Sequence, residues 1–368
     1  MRFKINLKPN PQFPAGLVYD NVDNTFFDGE TLKQIRFCTA EGEQTSPPAP
    51  EASCNLFTLG EQACTKERHL HYLEIVLGLR CNLSCSYCSQ QVSRREGDFV
   101  EFTPAKIAPF IEHLKRADIT IDGKVNFWGG EPLVYWKTLK PLIEAMRDEF
   151  PSIKKFWLAT NGTLLTKDKI DFFKANNVAI SVSTDGTPQT FRGVEVESRP
   201  ELRAVLDYAA EVLGKNFAYH TSPHRGSADL RRITEYLKQK TPAVCRIELN
   251  GITRCQEVSP SVDIKQFEMT AEDRAVLEQS SYALLTDPSA RLFDPHHANL
   301  VNRLIEIFAF GVPRYCIDGG CGATKSYLLT VDAEGNTYSC HCYLARSRMS
   351  GNIDHLSEVR TDQFTHFA

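Results

Sequence analysis

Cys81, Cys85 and Cys88 lie within "CNLSCSYC" (81–88), separated by three residues and then by two. Disulfides consume cysteines in pairs, and a structural zinc takes four protein ligands, so three gathered thiols match neither use. A cubane iron–sulfur cluster takes one thiolate per iron. Three thiolates therefore hold a 4Fe–4S cluster and leave its fourth iron open to a small molecule, which makes the missing ligand a reaction site. The alternatives are a zinc ion whose ligand set is completed by His69 or His71, and three unligated thiols, which in so short a loop are open to oxidation.

A second group sits in "CIDGGCGATKSYLLTVDAEGNTYSCHCY" (316–343). "SYLLTV" and "TYSCHCY" read as the strands of a hairpin with "DAEGN" as its turn. The hairpin returns Cys340 toward Cys316 and Cys321, so that with Cys342 four thiols can converge on one site. Zinc is the plainer reading of that set.

The bulk properties narrow the setting. A chain of 368 residues exceeds one small core, so two or three packed units are expected unless one of them is a barrel. Hydrophobic residues at 42% and charged residues at 24% are those of a globular protein. A formal net charge of −4 supplies no basic footprint for nucleic acid. The opening "MRFKINLKPNPQF" has no apolar run of signal-peptide length, and runs such as "YLEIVLGL" (72–79) are strand-sized, so no membrane association and a cytoplasmic location are expected. In that compartment thiols stay reduced, and 12 cysteines argue for metal ligation or catalysis.

The elements that must position these groups follow from periodicity. Residues 1–38 mix short β-like runs with turns, and "AEGEQTSPPAPEAS" (40–53) reads as a linker. The middle of the chain alternates. Strands are expected at "YLEIVLGL", "KVNFWGG", "KKFWLATNG", "VAISVSTDG", "NFAYHTSP" and "CRIELNG". Helices are expected at 104–117, "WKTLKPLIEAMRDEF", 166–177, 200–214 and 230–240, with Thr166 as an N-cap and Ile170, Phe172 and Phe173 on the buried side of the third. This rhythm predicts a parallel sheet, open or closed into a barrel. Four strands end in small or polar groups: Gly129-Gly130-Glu131, Thr160-Asn161-Gly162, Ser183-Thr184-Asp185-Gly186 and His220-Thr221. Ligands bind at the carboxyl ends of parallel strands, so these endings and the cysteine loop point to one shared site.

"CNLSCSYC" resembles the signature of the radical S-adenosylmethionine (SAM) enzymes, with Tyr87 as its aromatic residue, and "NFWGGEPLV" (126–134) resembles their GGEP motif. "LATNGTLL" and "ISVSTDG" are similar to the next two strand endings, in order. The resemblance covers residues 72–192 and implies a partial (β/α)6 TIM-like barrel, here with an N-terminal extension (1–70), the barrel proper (71–285) and a small C-terminal hairpin and helix domain (286–368). It implies that Cys81, Cys85 and Cys88 ligate three irons while SAM chelates the fourth. Gly129, Gly130 and Glu131 would meet the methionine amino group. Tyr87 would lie near the adenine, and Ser183, Asp185 and Asn161 near the ribose and methionine. Arg192 would pair with the carboxylate.

The second cysteine group resembles the start of the SPASM domain, and the shorter Twitch domain, of peptide-modifying radical SAM enzymes. "SGNIDHLSEV" (350–359) looks like the SPASM continuation, but no cysteine follows Cys342. The resemblance therefore implies one auxiliary iron–sulfur cluster. Its firmest ligands are Cys321 and Cys340, Cys316 is a third, and Cys342, Cys255, Cys245 or an open site supplies the fourth. In such enzymes a reduced cluster splits SAM, and the 5′-deoxyadenosyl radical removes a hydrogen atom from an unactivated C–H. The implied function is oxidative modification, by crosslinking or a similar step, of side chains in a ribosomally made precursor peptide, with an electron donor such as flavodoxin or ferredoxin. Alternatives are a sulfatase-maturing formylglycine-forming enzyme, a dehydrogenase of a small molecule such as an aminosugar, and a non-catalytic iron–sulfur electron carrier. The GGEP-like loop argues against the last, because a carrier has no need of SAM.

Overall fold

The computed structural model describes residues 2–5, 15, 17–20, 25–34, 37–39, 42–44, 65–88, 90, 94, 99–187, 191–249, 266–286, 326–338, 344 and 349–359. The chain divides into two compact units, Met1–Gln62 with His296–Gly320, and Ala63–Pro295 with Cys321–Ala368.

The first unit contains an antiparallel three-stranded sheet of β1 (Arg2–Ile5), β2 (Leu17–Asp20) and β3 (Thr25–Asp28). It also contains a two-stranded hairpin of β4 (Phe37–Thr39) and β5 (Gly42–Gln44). Residues 42–44 thus belong to a strand, which corrects the linker expected from residue 40. Backbone pairing of Phe37 with Gln44 and Thr39 with Gly42 outweighs the weak side-chain signal of that stretch.

The second unit is built on β6 (His69–Val76), β7 (Thr120–Trp128), β8 (Lys155–Thr160), β9 (Val178–Thr184), β10 (Phe217–Thr221) and β11 (Ile247–Leu249), each parallel to the next. The crossovers carry α1 (Ile107–Arg116), α2 (Trp136–Glu149), α3 (Lys167–Ala175), α4 (Pro200–Leu213) and α5 (Leu230–Lys240), and α6 (Ala271–Thr286) follows. The expected helices are present, and Thr166 Oγ1 accepts the Lys169 N–H at 3.4 Å as the N-cap of α3. Among the described residues no helix is long and apolar enough to cross a membrane.

Alternation along the strands separates two faces. Val178, Ile180 and Val182 of β9 join the core with Leu73, Ile75, Val125, Phe127, Phe156 and Leu158, under Leu114, Leu142, Phe173 and Leu206 of the helices. Ser181 and Ser183 fall on the opposite, inner face. The sheet does not close. Instead β12 (Leu328–Val331) runs parallel to β6, with Leu328 opposite Tyr72 and Val331 opposite Ile75. β13 (Asn336–Tyr338) returns antiparallel to it, and β14 (Met349–Asn352) completes the edge.

The expected hairpin therefore exists, and it extends the same sheet. Its turn is fastened by the buried Asp332, whose carboxylate accepts from Glu334 N (2.8 Å), Asn336 N (3.1 Å) and Tyr338 Oη (2.9 Å). At Gly335 the φ is +77°, and the His113 ring and Ile353 fill the place of a Cβ, so glycine is required.

Candidate active site

The cysteine loop leaves β6 through residues 77–80, and this segment continues to pair with β7 beyond the strand ends. Leu77 N donates to Trp128 O (2.8 Å), Gly130 N to Gly78 O (3.0 Å) and Glu131 N to Arg80 O (2.9 Å). The approach is backbone to backbone. A Cβ on Gly129 would sit 2.7 Å from the Gly78 carbonyl oxygen, and one on Gly130 would run into the Leu79 and Arg80 carbonyls. Gly78, at φ +144°, has the Tyr135 ring where its Cβ would be. Tyr135 Oη accepts from Arg80 N (2.8 Å) and donates to Glu101 (2.9 Å), and Arg80 pairs with Glu101 at 2.8 Å. The GGE loop thus clamps the entry to the cysteine loop.

Within the loop Cys85 is buried and Cys81 and Cys88 are half-buried. Each half-buried sulfur faces nitrogen donors. Leu83 N lies 3.4 Å and Asn161 Nδ2 3.9 Å from Cys81 Sγ, and Arg94 Nη2 lies 3.2 Å from Cys88 Sγ. Burial pushes the Cys81 and Cys85 thiols up, Cys85 to about 11, with Arg192 opposing at Cys85. The three sulfurs are close enough that charge on Cys88 raises both of the others. Three convergent thiols, with donors at the outer two and a guanidinium beside the inner one, fit a cluster held by three protein ligands.

His69 and His71 do not complete a zinc site here. They stand at the opposite end of β6, with roughly 16 Å of extended strand between His71 and Val76.

Glu131 is almost fully buried, 1% exposed. Its Oε1 accepts from Leu133 N (2.9 Å) and Thr160 Oγ1 (2.7 Å), and its Oε2 from Asn161 N (2.6 Å). It therefore ties the end of β7 to the end of β8. A carboxylate offers about four acceptor positions, so one more donor can be taken, which fits an ammonium group. Burial pushes its pKa up, opposed by the hydrogen bonds from Asn161, Leu133 and Thr160. Asn161 reaches back to the cysteine loop, donating through Nδ2 to Asn82 Oδ1 at 2.9 Å.

Tyr87, Asp185 and Arg192 form one group, with Asp185 buried and the other two half-buried. Tyr87 Oη donates to Asp185 Oδ1 (2.6 Å), Phe191 N donates to Asp185 Oδ2 (2.7 Å), and Arg192 Nε lies 3.4 Å from Oδ1 with its guanidinium 5.5 Å from the Tyr87 ring centroid. Phe267 meets both Tyr87 and Phe191 edge-on. Burial pushes the Tyr87 phenol well above its usual range, so it remains a donor. Ser183 lies at the same sheet edge, half-buried on the inner face and in register with His220. The fold thus brings Cys81, Cys85, Cys88, Tyr87, Gly129, Gly130, Glu131, Asn161, Ser183, Asp185 and Arg192 to the carboxyl edge of four neighbouring strands. Cys316, Cys321, Cys340, Cys342 and Cys255 lie outside the described residues.

Several participants carried no sequence signal. Arg94 at Cys88 belongs to no motif, and Thr160, although it lies in one of the four strand endings, carries nothing in the sequence that pairs it with Glu131. Glu197, 1% exposed, accepts from Thr184 Oγ1 at 2.5 Å just behind Asp185, and burial pushes its pKa up. On the inner face Trp157 Nε1 donates to Ser181 Oγ (2.9 Å), Ser181 donates to Glu248 Oε2 (2.7 Å), and Arg246 Nη2 donates to the other carboxylate oxygen, Glu248 Oε1. Tyr135 lies one residue past the GGEP-like run and is likewise not marked by it.

Residues 75–218 match the family model described as the radical SAM superfamily. The radical SAM cyclopropyl synthase TigE of Paramaledivibacter caminithermalis is 26% identical over 132 residues, 33% of this chain and 28% of that protein. The GTP 3′,8-cyclase of Clostridium acetobutylicum is 30% identical over 118 residues, 32% of this chain and 36% of that protein. The chain thus spans about a third of the length of these curated relatives. In fold it is similar to native anSMEcpe with bound AdoMet, at a TM-score of 0.59 and 18% identity, covering 79% of this chain and 82% of that one. It is also similar to Streptococcus suis SuiB bound to precursor peptide SuiA, at 0.54 and 20%, covering 79% and 65%. The match to the radical SAM superfamily thus falls on the segment that holds the three-thiol loop, the GGE clamp and the parallel strands that carry them, set in an open, partial α/β barrel.

Proposed function

We propose that this chain is a radical SAM enzyme that oxidatively modifies, by crosslinking or a similar step, the side chains of a ribosomally made precursor peptide. The observation that carries the SAM-binding part is the convergence of the three-thiol loop with Glu131, Asp185 and Arg192 at one strand edge. The cluster with SAM supplies hydrogen-atom abstraction from unactivated C–H bonds. Cys81, Cys85 and Cys88 would hold three irons. The remaining acceptor position of Glu131 and the Gly129–Gly130 backbone would take the amino group of SAM, and Arg192 its carboxylate. Asn161, Ser183 and Asp185 would line the ribose and methionine, with Tyr87 on the adenine side. The inner-face residues Trp157, Ser181 and His220 would form the floor on which a peptide is oriented and shielded from water.

The peptide assignment is supported by the cysteine pattern of the C-terminal segment and by the fold likeness to a structure bound to its precursor peptide. An auxiliary iron–sulfur cluster held by Cys316, Cys321 and Cys340, with Cys342 as the nearest fourth ligand, would accept the electron left on the product or anchor a substrate thiolate. A cytoplasmic location and a donor such as flavodoxin or ferredoxin accompany this reading. A second reading, cyclisation of a nucleotide, is favoured by the relatives named GTP 3′,8-cyclase.

One experiment separates them. The reconstituted, reduced protein is given SAM with either the precursor peptide encoded beside its gene or GTP. 5′-Deoxyadenosine with a peptide that has lost hydrogen supports the proposal, and a cyclised nucleotide with an unchanged peptide replaces it. In the Cys321→Ala, Cys340→Ala double variant, 5′-deoxyadenosine should still form while peptide modification stops. Wild-type turnover by that folded variant removes the auxiliary site from the chemistry.

A further inference from the structure

The N-terminal end of the barrel carries a second constellation. His69 and His71 stand on β6 and Asp122 on β7, with side chains 54%, 49% and 34% exposed. The β6–β7 register shifts between Leu70, opposite Ile121, and Tyr72, opposite Lys124, so that Asp122 and Gly123 together oppose His71. Gly123 permits this bulge, because a Cβ there would collide with the His71 carbonyl. Bulges re-aim side chains, and here both imidazoles turn to the same carboxylate. His69 Nε2 lies 3.2 Å from Asp122 Oδ2, and His71 Nδ1 lies 2.6 Å from Oδ1. One ligand atom from each of the three residues falls within 4.8 Å of the other two.

We propose that His69 Nε2, His71 Nδ1 and an Asp122 carboxylate oxygen bind a divalent transition metal of the zinc type, completed by water, at the N-terminal mouth of the barrel. Ligands about 2.1 Å from a tetrahedral zinc stand roughly 3.4 Å apart, so small side-chain rotations suffice. One of the two imidazoles has the supporting hydrogen bond typical of a metal-binding histidine. His69 Nδ1 is hydrogen-bonded to Thr120 Oγ1 at 2.9 Å, which fixes the ring with Nε2 toward Asp122. The Tyr327 ring packs edge-on against His71 at 5.3 Å, and Tyr327 O accepts the His71 N–H at 3.1 Å. Two imidazoles and one carboxylate favour zinc, cobalt or nickel over calcium or magnesium, which take all-oxygen sets. The metal would staple β6 to β7 where β6 also pairs with β12. The site shares no residue with the cysteine loop.

The test is a zinc titration of the anaerobically reconstituted protein against a chromophoric chelator, for wild type, His71→Ala and Asp122→Asn. Wild type should hold one zinc more per chain than His71→Ala. Asp122→Asn, which keeps the side chain's size, should bind that zinc at least ~10–100-fold more weakly, the loss that even an outer partner of a metal ligand causes. Zinc should also raise the melting temperature of wild type and leave that of His71→Ala unchanged. All three proteins share the same cysteines, so thiol-bound zinc cancels in the difference and the result is independent of the radical SAM assignment. Equal zinc uptake and equal melting shifts in wild type and Asp122→Asn would overturn the proposal and leave a hydrogen-bonded triad only.

Discussion

Tyr87 Oη donates a 2.6 Å hydrogen bond to Asp185 Oδ1, joining the cysteine loop to the end of β9 across 98 residues of sequence. Arg192 lies against both partners, so loop, strand end and cation form one connected unit around the buried Asp185. Tyr87→Phe keeps the ring and its contact with Phe267 while removing the donor. A hydrogen bond to a charged group is worth about 1.5–3 kcal/mol, so a loss of that size is expected in denaturant unfolding. SAM affinity should fall as well, while iron content stays at the wild-type level. An unfolding midpoint equal to wild type would show that the contact is not formed in solution.

The pKa of Cys85 gives a pH-dependent prediction for the cluster-free protein. Burial pushes the thiol up to about 11, against about 8.5 for a free cysteine, so less thiolate is present at any pH below 11. At pH 8 the thiolate fraction is on the order of 100-fold lower than for the free amino acid, and alkylation by iodoacetamide should slow at least as much. The rate should climb about tenfold per pH unit through pH 10. A plateau near pH 8.5, read by mass spectrometry of the Cys85 peptide, would refute the burial argument. Because ligation requires the thiolate, cluster assembly should release protons and accelerate with pH.

Replacing Cys81, Cys85 and Cys88 together with Ala should remove about four irons per chain after reconstitution and abolish SAM cleavage. Iron analysis and chromatography of 5′-deoxyadenosine check this, and undiminished cleavage in the triple variant would exclude the loop as the cluster site.

Gly130→Ala tests the clamp. The new Cβ would meet the Leu79 and Arg80 carbonyls, and backbone on both sides cannot yield cheaply. Overpacking of this kind costs about 1–3 kcal/mol, so a lowered melting temperature is expected together with loss of the site-specific cluster. Full cluster content and unaltered stability would mean that the two segments are not held in contact.

Glu131→Gln places an amide nitrogen among three N–H and O–H donors, leaving at least one of them facing another donor in a site only 1% exposed. An unsatisfied buried group costs about 1–3 kcal/mol. SAM binding and thermal stability should therefore decline together, as isothermal titration and melting curves would record. A loss of SAM affinity with unaltered stability would mean that Glu131 serves the ligand alone.

The sequence by itself determined the parallel α/β rhythm and the edge at which ligands are read, because hydrophobic period and small or polar strand endings are local properties. It also determined the three-thiol loop, since the spacing of Cys81, Cys85 and Cys88 is written directly in the chain. Tertiary structure decided what those local signals could not. The attachment of β12 alongside β6 joins residues 256 apart, as the Thr330 to Glu74 hydrogen bond shows, and no periodicity encodes a partner at that distance. The placement of Arg94 on Cys88, of Thr160 on Glu131 and of Asp185 under Tyr87 depends on how strand ends converge in space. The separation of His69 and His71 from the cysteines is likewise a consequence of geometry. They are near Cys81 in sequence, but a fully extended strand carries them to the far end of the barrel, where a bulge opposite Gly123 turns them to Asp122.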